Sequence, residues 1–152
     1  MSIYKIPISQ KIPDLSTYTH KTIVIVNIAS QCGFNQQLTE LNQLLDPELN
    51  TVVIAFPCSQ FHQHDATIDD NTQWCQTQFD AQYIIENEIN VNGKSAHPLF
   101  IYLNHHAPGI LGKRIGWNFT KFIIHPNEQH IKRFAPYDSV EKMTQYIKHT
   151  IK

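Results

Sequence analysis

The chain has 152 residues, 41% of them hydrophobic and 16% charged, which is enough to bury about 68–70% of the surface its unfolded form exposes. That rules out a disordered tail, and no stretch approaches the ~18 consecutive apolar residues of a membrane-spanning helix. Twelve Lys and Arg against thirteen Asp and Glu leave a net charge of -1 with both signs scattered, so neither nucleic acid nor an anionic membrane gains support as a partner.

The segment Met1 to Gln10 lacks the basic end and the long apolar run of a signal peptide, so export by that route is not expected. Thr22 to Ile28 (TIVIVNI) and Thr51 to Phe56 (TVVIAF) are β-branched apolar runs of strand length, suited to central strands covered on both faces. Between them, Leu38, Leu41, Leu44 and Leu45 recur at helical spacing over Asn35 to Asp46, with Asn35 placed to cap the start and Pro47 following the end. A strand, helix, strand unit results, with its strands parallel and its crossover right-handed.

Farther along, Asp69 to Phe79 is a more polar helix. Val91-Asn92-Gly93-Lys94 marks a turn, and His97 to His106 a second helix with Pro98 in its first turn. Phe119 to Ile124 and Gln129 to Phe134 read as strands of a hairpin about the turn Pro126-Asn127-Glu128. Asp138 with Glu141 three residues on has the pattern of a capping box, and Val140, Met143, Ile147 and Ile151 form one apolar stripe of a terminal helix. No repeat or linker divides the chain, so one domain over residues 1–152 is expected. The order of elements is that of an α/β thioredoxin-like fold, a central mixed sheet flanked by helices.

Sites in open α/β sheets form beyond the carboxyl ends of strands. Cys32 lies there, in the loop Ala29 to Phe34 after the first central strand. A helix starting near Asn35 would turn its positive end toward that sulfur and favour the nucleophilic thiolate. Three cysteines, Cys32, Cys58 and Cys75, are too few and too odd in number for a secreted disulfide framework, so a reduced cytoplasmic setting is the expectation. Asn35 stands where a C-x-x-C motif would place a second cysteine, so dithiol exchange of the thioredoxin kind is not expected.

The residues around Cys32, Asn27-Ile28-Ala29-Ser30-Gln31-Cys32-Gly33-Phe34, resemble the N-V-A-S-x-C-G-x signature of the glutathione peroxidase family. Three further segments match that family in order: Phe56-Pro57-Cys58-Ser59-Gln60-Phe61, Trp117-Asn118-Phe119-Thr120-Lys121-Phe122 and Arg133-Phe134-Ala135-Pro136. The resemblance implies a thiol peroxidase in which Cys32 attacks the peroxide, with Trp117, Asn118 and a glutamine as its partners. Indole and amide N–H groups are donors able to stabilise a thiolate and a departing oxygen. Counting forward from Cys58 puts His64 at the glutamine position, and counting back from Cys75 puts Gln63 there; Gln63 is preferred, the missing residue falling in the loop at His62.

Cys75 stands where thioredoxin-dependent members carry a resolving cysteine. The resemblance therefore implies that the Cys32 sulfenic acid condenses with Cys75, that thioredoxin reduces the disulfide, and that Cys58 only packs. Hydrogen peroxide and organic or lipid hydroperoxides are the implied substrates. Direct reduction by glutathione with Cys75 idle, or a redox relay of low turnover, are the alternatives. No cofactor is implied, and the nine histidines show no four-ligand zinc pattern. The sequon Asn118-Phe119-Thr120 falls inside a family motif of a chain with no export signal and is discarded. Gly116 departs from the Lys that many members carry, and the short stretch between His106 and Ile115 leaves little room for the family's oligomerisation loop, so a monomer is expected.

Overall fold

β1 (Thr22–Ile28) is buried along its whole length, as an unbroken run of β-branched residues requires. The computed structural model describes residues 2–65, 67–110 and 112–151. β1 pairs in parallel with β2 (Thr51–Pro57), which pairs in parallel with a short β3 (Ile84–Ile85). On its other side β1 runs antiparallel to β4 (Lys121–Ile124), which forms a hairpin with β5 (Ile131–Phe134). The sheet order is β3-β2-β1-β4-β5. It is the mixed sheet expected of the thioredoxin-like architecture.

Alternation along β1 divides the core into two layers, because successive side chains point to opposite faces. Val24, Val26 and Ile28 belong to one layer, with Leu38, Leu41, Leu44, Met143 and Ile147. Ile23 and Ile25 belong to the other, with Phe56, Leu99, Phe100, Leu103 and Phe122. Helix α1 (Gln37–Glu40), α2 (Asn71–Phe79) and α4 (Val140–Thr150) contribute to the first layer, and α3 (Pro98–His106) to the second. Cys32 and Cys75 lie in the first layer and Cys58 in the second.

Several boundaries differ from the sequence reading. The helix expected over Asn35 to Asp46 is one α turn, α1, continued as a 3-10 helix over Leu41–Leu45. Asn35 does not cap it: its Nδ2 donates to Ser30 O at 3.1 Å, back across the Cys32 loop. The dipole facing Cys32 is thus that of a single α turn, far less than a long helix supplies. Asp138 is also not the cap of α4. Ser139 is, its Oγ accepting from Lys142 N–H at 3.0 Å, while Asp138 accepts from Ala135 N–H at 2.8 Å and from Lys142 Nζ at 2.8 Å. The α4 stripe holds for Val140, Met143 and Ile147, which are buried, while Ile151 falls past the helix end as its extended C-cap and packs half-buried against the same layer. The hairpin strands start two residues later than expected, at Lys121 and Ile131, and Pro126–Glu128 is a 3-10 turn.

Candidate active site

The Cys32 loop is tied to itself and, by three bonds, to the segment after β2. Asn35 N–H donates to Cys32 O at 3.0 Å, closing the loop on itself. Gln31 N–H donates to Gln63 O at 2.7 Å, and Asp65 N–H donates to Ser30 Oγ at 2.8 Å, joining it to the segment after β2. His64 adds a third bond: its Nδ1 accepts from Ser30 N–H at 3.2 Å. Cys32 itself is 2% exposed, so its sulfur is held at the floor of the site.

Above it stands Trp117. Its Nε1–H donates to Cys32 Sγ at 3.2 Å, a contact that rewards negative charge on sulfur. The backbone that carries it is anchored to the end of β1: Asn27 Nδ2 donates to Trp117 O at 3.3 Å, and Phe119 N–H donates to Asn27 O at 2.6 Å. Phe119 takes a φ of 65° to make that turn, an unusual conformation for a bulky residue. Phe61 braces the indole from the side, with ring centroids 5.5 Å apart. Next to Trp117, Asn118 is fully buried, and neither Oδ1 nor Nδ2 has a partner within the described protein. A buried amide with both ends unmet costs about 1–3 kcal/mol per group, so each calls for an explanation.

Of the residues nominated from sequence, the structure joins Cys32 and Trp117 directly and puts Asn118 beside Trp117 in the chain. The carboxamide of Gln63 contacts its own neighbour, His62 O, at 3.5 Å rather than the sulfur. Cys75 sits on α2 as its one buried residue, 3% exposed. Burial pushes its thiol up to about 11. Burial likewise raises the Cys58 thiol, whose sulfur lies 3.8 Å from Gln60 Oε1. All three cysteines are free thiols.

Sequence reasoning missed the residues that fix the segments leading into and out of Trp117. Gln60 Oε1 accepts from Val91 and Asn92 N–H at 2.7 and 3.0 Å, and Asn92 in turn makes a two-way bond with Ile115, Nδ2 to O at 2.7 Å and N–H to Oδ1 at 2.8 Å. Arg133 gives its guanidinium to Lys113 O and Arg114 O at 3.0 and 2.7 Å and lies over the Phe122 ring at 5.4 Å. Lys121, with no exposed surface, donates Nζ to Ala135 O, Pro136 O and Asp138 O at 3.2, 3.0 and 2.5 Å. Burial pulls its ammonium down to about 8. Gln60, Lys121 and Arg133 all fall within the segments that resemble the family, and that was the available signal; Asn92 had only a turn signal.

A buried cysteine at the end of the first central strand, a tryptophan N–H on its sulfur and a mixed thioredoxin-like sheet define a thiol-based oxidoreductase. A family model described as glutathione peroxidase matches residues 2–104. The chain is 41% identical over 143 residues, 90% of this chain and 89% of the relative, to the glutathione peroxidase homolog BsaA of Bacillus subtilis (strain 168). It is 40% identical over 139 residues, 88% of this chain and 87% of the relative, to a glutathione peroxidase of Lactococcus lactis subsp. cremoris (strain MG1363). The crystal structure of T. cruzi GPX1 superposes with a TM-score of 0.72 at 32% identity, covering 97% of this chain and 95% of that one. The chain belongs to the glutathione peroxidase family and is a peroxidase that draws on thiols. Among the described residues, no helix is long and apolar enough to cross a membrane.

Proposed function

We propose that the protein, a single domain over residues 1–152, reduces hydrogen peroxide and organic or lipid hydroperoxides in the cytoplasm as a monomer, with thioredoxin as its reductant. Cys32 thiolate attacks the terminal peroxide oxygen. The O–O bond breaks, the alcohol or water leaves with a proton, and Cys32 becomes a sulfenic acid. Cys75 attacks that sulfur and expels its oxygen as water, leaving a Cys32–Cys75 disulfide. Thioredoxin dithiol then restores both thiols and is itself oxidised. The net reaction converts peroxide and dithiol into alcohol, water and a disulfide.

Trp117 and Asn118 act as the donors in the first step, and this gives the unmet amide of Asn118 its partner, a peroxide oxygen. Gln63 supplies the third donor. Its backbone is already tied to the Cys32 loop through Gln31, and its half-buried carboxamide needs only to leave His62 O to turn inward. Replacing Gln63 with Ala slows sulfenic acid formation under this reading; full peroxide reactivity in Gln63→Ala with loss in His64→Ala reverses the assignment.

The observation that carries the resolving step is the division of the core: Cys75 shares the layer of Cys32, and Cys58 lies across the sheet. A thiol pushed up to about 11 by burial is protonated at neutral pH, and the attacking species is the thiolate. Resolution therefore requires α2 to open and admit water to Cys75. The discriminating experiment runs a cumene hydroperoxide assay in parallel with thioredoxin and with glutathione, on the native protein, Cys32→Ser and Cys75→Ser. Loss of thioredoxin-supported turnover in both variants is expected. Glutathione-supported turnover that survives in Cys75→Ser at the native rate overturns the proposed reductant, and slow turnover of the native protein with both points to a relay.

A further inference from the structure

His64 links two parts of the molecule that the proposed cycle requires to separate. Its side chain is 5% exposed. While Nδ1 accepts from Ser30 N–H at 3.2 Å, in the loop two residues from Cys32, Nε2 lies 3.0 Å from Oδ1 of Asn71, the first residue of α2. Accepting at Nδ1 places the proton of a neutral ring on Nε2, so the ring donates to Asn71. The carboxylate of Glu88 lies 3.9 Å from the same nitrogen. One imidazole thus spans the gap between the nucleophile loop and the helix that bears Cys75.

Besides this tie, Trp74 and Phe79 pack half-buried against the first core layer, and the rest of the helix's attachment is sparse. Cys75 is its one buried residue. Its far end is held by Thr39 Oγ1 on Phe79 O at 2.9 Å and by Asn42 Nδ2 on Asp80 O at 2.8 Å. At the near end, Thr72 Oγ1 makes two long bonds, donating to Ile85 O at 3.4 Å and accepting from Lys11 Nζ at 3.5 Å. Among the described residues, the His64–Asn71 bond is therefore the side-chain tie between the start of α2 and the Cys32 loop. A helix with one buried residue opens locally at small cost, and a tie at its first residue bears directly on how often it does so.

We propose that His64 is a positioning residue that latches α2 closed against the Cys32 loop. The latch keeps Cys75 buried while Cys32 meets peroxide, and its release lets Cys75 reach the sulfenic acid. The inference rests on Cys75 as resolving thiol and adds the group that times its approach. No proton transfer to or from the substrate is assigned to His64.

The experiment uses the reduced full-length protein, native and with Asn71→Ala, Asn71→Asp, His64→Ala and the His64→Ala/Asn71→Ala pair. After mixing with one equivalent of hydrogen peroxide, samples are quenched in time with a thiol-alkylating reagent, and the sulfenic and disulfide forms are counted by mass. Asn71→Ala should speed conversion of sulfenic acid to disulfide about fivefold, the factor set by the net worth of one hydrogen bond. Amide hydrogen exchange at Trp74 and Cys75 of the reduced protein should rise by a similar factor. Asn71→Asp keeps the acceptor oxygen and should restore both to native levels, and the paired substitution should exceed the single ones by little, since both break one contact. Unchanged exchange and unchanged disulfide rate in Asn71→Ala and His64→Ala overturn the latch. Faster exchange at α2 in a protein that forms no Cys32–Cys75 bond leaves the latch standing and refutes Cys75 as its beneficiary.

Discussion

Cys32 and Cys75 belong to one core layer, but the chain holds them in opposite ways. Around Cys32 every nearby segment is tied: the loop to Gln63 and Asp65, the indole to the sulfur, and the backbone of Trp117 to Asn27. Behind that, Gln60, Asn92, Lys121 and Arg133 fix the segments that lead into and out of Trp117. Around Cys75 there is a nine-residue helix with one buried side chain, and among the described residues no hydrogen bond reaches its sulfur. The contrast matches what the proposed cycle asks of each thiol. A nucleophile gains from fixed donors that need no rearrangement when charge develops, whereas a resolving thiol must stay out of the way and then travel.

Three substitutions probe that contrast. The greatest effect is expected at Lys121, where Lys121→Ala removes a fully buried donor shared by three part-buried carbonyls on the rigid side. Denaturant unfolding should show a loss of about 3 kcal/mol, and a loss under ~1 kcal/mol would mean that the buttress is dispensable. Trp117→Phe keeps the ring against Phe61 but deletes the N–H on Cys32. Removal of one preorganised donor typically costs about a hundredfold or more, so the second-order rate with peroxide should fall by about that factor while the fold survives. A fall of less than threefold would remove Trp117 from the mechanism.

The smallest effect is expected at Cys75 and depends on pH. Its thiol is pushed up to about 11 in the folded protein by burial, against ~8.5 in an unfolded chain. Below about pH 8.5 both forms are protonated and the contribution to stability is complete. Between about pH 8.5 and 11 the unfolded chain sheds its proton while the folded one retains it, so stability is lost as pH rises. Cys75→Ala should abolish that share, a slope of up to about 1.4 kcal/mol per pH unit within this window. The difference between native and variant unfolding free energies across this range is the quantity to measure; a constant difference would place Cys75 in contact with water already.

The long apolar elements were legible in the sequence because burial writes itself as pattern: TIVIVNI for β1, TVVIAF for β2 and the α4 stripe all stand in the structure. Cys32 was legible from its place after β1 and from the motif around it. β3 was not, since two residues carry no period, and it exists because β2 offers an edge to Ile84 and Ile85. The caps at Asn35 and Asp138 were misassigned because Asn and Asp have other backbone groups to satisfy, and the loop and turn outbid the helix in each case. The Gln60–Asn92–Ile115 chain and the His64–Asn71 tie join residues whose proximity only the fold creates.

The central claim is that Cys32 and Cys75, and not Cys58, exchange oxidation during each turnover. The direct test treats the reduced protein with one equivalent of hydrogen peroxide, alkylates the remaining thiols and maps the peptides. The account predicts a single cross-link between Cys32 and Cys75 with Cys58 alkylated. A cross-link to Cys58, or Cys32 carried on to sulfinic acid with Cys75 still alkylated, would contradict it.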